Sequence, residues 1–117
     1  MAEKLLTIVT IPERKERETR RKTEAINRII GRLRDFVRTS NGAGRFVVFG
    51  SAASDAIRHG SDFDVLIDFA ETHERAAWHE VEDACRAENI RADILSVRMI
   101  RAECVAKILA RSIKIIA

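Results

Sequence analysis

The sequence predicts a small α+β domain, with a mixed β-sheet, helices packed on it and a long N-terminal helix. Three short runs rich in β-branched, aliphatic or aromatic residues, at 46–49, 65–67 and 91–97, are typical of buried strands. Segments around them repeat apolar residues at helical spacing. The resulting order is helix, strand, turn, strand, helix, strand, helix, which fits a sheet with helices covering one face.

The long helix is predicted from about Pro12, which suits a first helical turn, to about Thr39, before the glycine-rich 41–44. Its first half, Glu13 to Lys22, has almost no apolar residue and must be solvated, fray or meet a partner. Ahead of it, Leu5 to Ile11 is apolar and β-branched, and is either an edge strand or an arm on another chain. The second half carries an apolar stripe of Ala25, Ile26, Ile29, Ile30, Leu33, Phe36 and Val37.

Two further helices and an apolar end are expected after the central strands. Glu71 to Ala87 has helical periodicity, and a last helix is predicted from about Arg98. The end of the sequence, Ile113 to Ile116, is apolar enough to need a surface, either in this domain or across a dimer. The inner side of the last helix is expected to hold Ile100, Cys104, Ile108 and Leu109.

Composition predicts one domain over residues 1–117, near the commonest domain size. Its parts are an arm and long helix at 1–40, a core at 45–97 and a C-terminal helix at 98–117. No apolar run approaches the roughly 20 residues of a membrane span, and no signal peptide is recognised. Cys85 and Cys104 lack metal-ligand spacing and are interpreted as reduced core thiols, so a cytoplasmic protein is expected.

Positive charge is concentrated in the long helix. The net charge is +3, and residues 12–38 hold ten basic and five acidic side chains. Three acid–base pairs stand at helical spacing: Glu13 and Arg17, Glu18 and Lys22, and Glu24 and Arg28. Such pairs are typical of a salt-bridged, solvated helix, and the chain has no tyrosine for base stacking. A protein partner is therefore favoured over nucleic acid.

Two aspartates at the start of the second strand predict a metal site. Residues two apart on a strand share a face, so the Cα atoms of Asp62 and Asp64 would lie roughly 6–7 Å apart. Paired carboxylates repel each other unless a cation lies between them, and Mg²⁺ prefers such oxygen ligands together with substrate phosphates. Taken alone, the pair also fits a solvated strand entrance.

Gly50 and Ser51, directly after the first strand, predict a phosphate-binding turn. Glycine allows positive φ or a close approach of the backbone, and Ser51 would be a good N-cap for a helix over 52–57. The N–H groups at such a helix start favour phosphate oxygens. Together with the aspartate pair, the turn predicts a site for a nucleoside triphosphate.

The Gly50-Ser51 pair, a nine-residue spacer and Ser61-Asp62-x-Asp64-Val65 resemble the signature of the DNA polymerase beta-like nucleotidyltransferase superfamily. The short chain looks like its minimal nucleotidyltransferase (MNT) branch, whose members often serve as antitoxins to HEPN-domain toxins. Asp93 matches the family's third carboxylate, on a later strand. The resemblance covers about residues 46–97.

The resemblance implies Mg²⁺-dependent transfer of AMP from ATP to a hydroxyl, plausibly a tyrosine of a HEPN toxin. Asp62, Asp64 and Asp93 would be catalytic and hold two Mg²⁺ ions, while Gly50, Ser51 and Ser61 would bind phosphate. The turn departs from the family pattern, because active relatives usually carry an Arg or other polar residue after Gly-Ser and a glycine near the fourth following position. Here Ala52-Ala53-Ser54-Asp55 stands instead, and Asp55 would compete with incoming phosphate. A catalytically weak antitoxin that neutralises its partner by occlusion is the alternative.

Overall fold

The computed structural model describes residues 11–54, 57 and 60–117, and only the backbone of Ile11 and Pro12. The predicted N-terminal arm up to Thr10, and Asp55 in the turn, lie outside the described residues. The helices and strands are α1 (Ile11–Thr39), β1 (Gly44–Phe49), a 3-10 turn (Gly50–Ala53), β2 (Phe63–Phe69), α2 (Glu71–Ala87), β3 (Ala92–Ser96), α3 (Ala102–Leu109) and β4 (Lys114–Ile116).

The four strands form one mixed sheet in the order β3-β2-β1-β4. β1 is antiparallel to β2 and to β4, while β3 runs parallel to β2. The α+β prediction with a small mixed sheet and a long N-terminal helix is therefore confirmed. The parallel pairing places the starts of β2 and β3, and the end of β1, at the same end of the sheet.

The larger core lies between the sheet and the helices α1 and α2. The second half of α1 buries its predicted apolar stripe, with Ile26, Ile29 and Leu33 at most 1% exposed. Gly31 plays no part in close packing, because a Cβ built on it would have no neighbour within 4 Å. The aromatic rings of Phe36, Phe46 and Phe69 cluster in this core, with centroids 4.8–5.9 Å apart.

The opposite face of the sheet is covered by α3, which corrects the prediction that the helices cover one face. Ile108 of α3 packs with Val47, Phe49 and Leu66 in a second, smaller cluster. The helix begins at Ala102 rather than near Arg98, because turns occupy the residues after β3. Its predicted inner side was partly wrong: Ile108 is buried, but Leu109 and Cys104 are exposed.

The apolar end of the sequence forms a strand that was not predicted. β4 pairs with β1, so that Ile116 lies opposite Phe46 and is buried, whereas Ile115 remains 51% exposed. The surface that residues 113–116 needed is thus supplied within this chain by its own sheet.

Ion pairs connect the two long helices, and another joins successive turns of α1 between Arg38 and Asp35 at 3.6 Å. Of the pairs predicted within α1, Glu24 and Arg28 interact: the pKa of Arg28 is raised first by its hydrogen bond to Glu88 and further by the charge of Glu24. Toward α2, Arg28 contacts Glu88 at 2.8 Å and Arg32 contacts Glu80 at 2.6 Å. Within the described part of the chain, no helix combines the length and apolar character needed to cross a membrane.

Candidate functional site

Two of the three predicted aspartates lie side by side at one end of the sheet. In the strand register, Asp64 of β2 is opposite Phe49 of β1 on one side and opposite Asp93 of β3 on the other. Neighbouring strands are about 4.8 Å apart, so Asp64 and Asp93 face the same side at close range. Asp62 directly precedes β2 and is half-buried. The adjacency of β2 and β3 thus brings the late aspartate beside the early pair.

Gly50 directly follows β1 and lies beside the Asp64 carboxylate. Its φ is +69°, a left-handed conformation that side-chain-bearing residues rarely adopt. A Cβ built on Gly50 would overlap the Oδ2 atom of Asp64. The glycine is therefore required twice, once for the backbone direction of the turn and once for room beside the carboxylate.

The turn after Gly50 differs from the predicted capped helix. Residues Gly50–Ala53 form a 3-10 turn whose N-cap is Phe49, so the prediction that Ser51 caps a helix over 52–57 is wrong. The positive φ of Gly50 starts the turn one residue earlier than the sequence suggested. Ala52 is fully buried and anchors the turn, while the Ser51 carbonyl accepts a 3.3 Å hydrogen bond from the Ser54 N–H.

Polar residues at this end of the sheet are partly accessible to solvent. The side chain of Ser51 is half-buried, and its hydroxyl makes no hydrogen bond to any residue that the structure describes. Ser61 is also half-buried and directly precedes Asp62. Asp93 is exposed, so solvent and ligands can reach this end of the sheet. The hydrophobic cluster under α3 covers the remainder of the same face.

The environment of the site disfavours ionisation of the Asp64 carboxyl. Burial raises the pKa of the Asp64 carboxyl above its ordinary value of 3.8, and the negative charges of Asp93 and Asp62 raise it further. Each of these causes disfavours the ionised form. A cation placed among the three carboxylates would relieve the repulsion, so the charges of the site fit a metal ion.

The chemistry of the donors fits Mg²⁺ in particular. Mg²⁺ takes oxygen ligands, binds through one or two carboxylates and fills its other positions with water and substrate phosphates. Among residues 11–54, 57 and 60–117, no group of three or more histidine, cysteine or acidic side chains stands close enough to hold a metal ion as it is. Asp62 and Asp64 would therefore provide the first protein ligands, with phosphate oxygens completing the shell.

Two further charged residues share a face with the aspartates, and neither was predicted to belong to the site. Asp68 lies on the Asp64 face of β2 but at the far end, where it forms a 2.9 Å ion pair with Arg45. Arg91, two residues before Asp93, is exposed at the site end of β3, and its carbonyl accepts a 2.8 Å hydrogen bond from the Phe63 N–H. The two-residue spacing of Arg91 and Asp93 was the available signal for a cation on this face.

Comparison with known proteins identifies the family core. A family model described as the nucleotidyltransferase domain matches residues 30–115, which is more than half of the chain. The matched range starts within α1 and includes the turn after β1, the start of β2 and Asp93 on β3. No curated protein matches the chain.

Proposed function

The chain belongs to the nucleotidyltransferase domain family, and from this premise we propose that it transfers AMP from Mg²⁺-bound ATP to a hydroxyl group. The family supports a transferase that acts on a nucleoside triphosphate. The choice of ATP, the metal and the acceptor belong to the proposal.

One observation carries the assignment to this site: Asp64 lies between the Gly50 turn and Asp93. The register aligns Phe49, Asp64 and Asp93, and Gly50 abuts the Asp64 carboxylate. Triphosphate oxygens and carboxylates can thus approach one another at a single end of the sheet. Bound Mg²⁺ would supply the positive charge that offsets both the carboxylates and the phosphates.

The residues have distinct proposed roles. Gly50 and Ser51 would contact the β- and γ-phosphates through backbone N–H groups and the hydroxyl, with Ser61 beside them. Asp62 and Asp64 would be the metal ligands, and Asp93 would complete that set and accept the proton of the acceptor hydroxyl. The deprotonated oxygen forms a bond to the α-phosphorus, the bond from that phosphorus to the bridging oxygen of the β-phosphate breaks, and pyrophosphate leaves.

A tyrosine on a HEPN-type toxin is the proposed acceptor, which would make this chain an antitoxin of the minimal nucleotidyltransferase type. The basis is the signature formed by Gly50-Ser51 and Ser61-Asp62-x-Asp64. Covalent AMP on the tyrosine would silence the toxin.

Transfer is tested with ATP labelled at its α-phosphate, Mg²⁺ and a candidate HEPN protein. We expect label on the acceptor with the wild-type chain and none with the Asp62→Asn/Asp64→Asn variant. Asp68→Asn is the matched control, because it removes a carboxylate from the same strand and face but outside the site. Label transferred equally by the double variant and the wild type would refute the proposed catalytic roles.

Occlusion without catalysis is the alternative function, and the exposed first half of α1 favours it. Asp55, four residues after Ser51 in the sequence, provides a second reason, since a negative charge near bound phosphate would repel it. Under this alternative, the Asp62→Asn/Asp64→Asn variant would neutralise the toxin as well as the wild type does. If neutralisation is lost with the two carboxylates, occlusion is excluded.

A further inference from the structure

A stripe of arginines runs along one face of α1. Its members are separated by three, four, seven and four residues, so at about 100° per residue they fall within an arc of roughly 60°. The stripe consists of Arg14, Arg17, Arg21, Arg28 and Arg32. It extends through the half-helix at residues 13–22, which lies outside the range matched by the family.

The two C-terminal members of the stripe are paired with α2. Arg28 contacts Glu88 through both carboxylate oxygens, and Arg32 contacts Glu80. These acidic partners are eight residues apart, and Glu88 is the C-cap of α2. Because α2 ends there, the stripe continues along α1 beyond the reach of its acidic neighbour.

The three N-terminal members have no such partner. Arg14, Arg17 and Arg21 are exposed and form no ion pair or hydrogen bond with any residue that the structure describes. Residues 13–22 hold six basic and three acidic side chains and no apolar one. The half-helix therefore has no apolar contact with its own core, but it presents an excess of positive charge.

A cavity of about 330 Å³ lies at the C-terminal end of α2, beside the point where this half-helix joins the rest of α1. The buried residues Ala25 and Ile90 form its apolar part. The rest of its lining is charged or polar and consists of Glu18, Arg21, Lys22, Glu88 and Asn89. An apolar side chain of a docked helix would fit at this position, directly beyond the C-terminus of α2.

We propose that residues 13–22 of α1 are the docking surface for an acidic α-helix of a protein partner. The partner helix would continue the line of α2, with carboxylates spaced like Glu80 and Glu88 and with an apolar residue at the cavity. Charge complementarity to Arg14, Arg17 and Arg21 favours an acidic partner. A protein helix is favoured over nucleic acid, because Ala25 and Ile90 offer apolar contact at the cavity and this half-helix has no aromatic residue to stack on bases. The inference adds a partner surface to the proposed function, and docking itself needs no catalysis.

The probe is an alanine-based helical peptide that carries glutamates at i, i+8 spacing and one leucine near its end. We expect it to bind the full chain at low salt and to bind the Arg17→Gln/Arg21→Gln variant roughly fivefold more weakly, as for two exposed ion pairs. The Arg34→Gln/Arg38→Gln variant is the matched control, because it removes two exposed arginines from the same helix. A peptide with the glutamates scrambled should bind weakly to all three proteins.

Charge reversal makes the test specific. The Arg17→Glu/Arg21→Glu variant should no longer bind the glutamate peptide. It should instead bind a peptide that carries lysines at the same positions. No binding of the glutamate peptide, an equal loss in the Arg34/Arg38 control, or tighter binding of an oligoribonucleotide of equal charge would overturn the proposal. The Asp62→Asn/Asp64→Asn variant should bind the peptide like the wild type, so failure of catalysis and failure of docking are separately visible.

Discussion

The environment of Asp64 disfavours the ionised form of its carboxyl. Burial and the charges of Asp93 and Asp62 raise its pKa above 3.8 in the folded chain. As the pH rises past 3.8, the unfolded chain ionises Asp64 first, so ionisation favours unfolding. The stability present at low pH is lost as the pH passes through the raised pKa of the folded state.

Asp64→Asn is therefore expected to raise the melting temperature of the metal-free protein at neutral pH. The gain should shrink as the pH is lowered toward 3.8, because the wild-type carboxyl becomes neutral. Calorimetry in the presence of a chelator across this range measures the difference. Asp68→Asn, which breaks the pair with Arg45, should show no such gain. A lower melting temperature for Asp64→Asn at neutral pH would contradict the repulsion argument.

At Gly50, a single added methyl group is expected to lower both stability and nucleotide binding. Gly50→Ala would strain a backbone with φ +69°, at about 1–2 kcal/mol, and would push the added Cβ into the Asp64 carboxylate. We expect a lower free energy of unfolding and weaker nucleotide binding, measured by denaturant titration and calorimetry. Unchanged stability and binding would show that the turn tolerates a side chain there.

The resemblance to the nucleotidyltransferase signature indicated Asp93 as the third carboxylate, whereas strand patterns alone did not give its neighbour. The structure places Asp93 beside Asp64, because β2 and β3 are parallel neighbours that start at the same end of the sheet. The short turn after Gly50 could not be foreseen, since a serine after glycine is equally suited to a helix cap or a 3-10 turn. Arg91 was given no role, although its two-residue spacing from Asp93 predicts a shared face, because one arginine among 21 basic residues does not by itself indicate a site.

Among the helices, α1 contains a glycine, Gly31, that lowers helix propensity at a position where packing does not require a glycine. A Cβ on Gly31 would meet nothing within 4 Å, so alanine adds helix propensity without a clash. Gly31→Ala should raise the free energy of unfolding by up to about 1 kcal/mol. Denaturant titration of both variants should show a higher free energy of unfolding for Gly31→Ala and a lower one for Gly50→Ala. Destabilisation by Gly31→Ala would mean that α1 does make close contact at this position.

The elements that were mispredicted are the shortest ones. β4 has three residues, too few for alternation to show, and its strand character comes from pairing with β1. In α3, Cys104 and Ile108 are four apart and look equivalent in the sequence, yet only Ile108 reaches the sheet. By contrast, α1 and α2 have enough turns for periodicity to identify their buried faces.

At the scale of the whole molecule, the family core and the half-helix outside it have separate proposed tasks. The core at 30–115 brings the turn, Asp64 and Asp93 to one end of the sheet. Residues 13–22 extend from that core and hold six basic and three acidic side chains. Catalysis and partner docking should therefore be separable by mutation.

Calorimetric titration of ATP, with and without Mg²⁺, measures whether Asp62 and Asp64 support binding of a metal–nucleotide complex. The three-aspartate site predicts Mg²⁺-dependent binding to the wild type and to Asp68→Asn, and loss of that binding in Asp62→Asn/Asp64→Asn. Absence of binding to the wild type at millimolar ATP, or equal binding by the double variant, would contradict a nucleotide site built on these carboxylates.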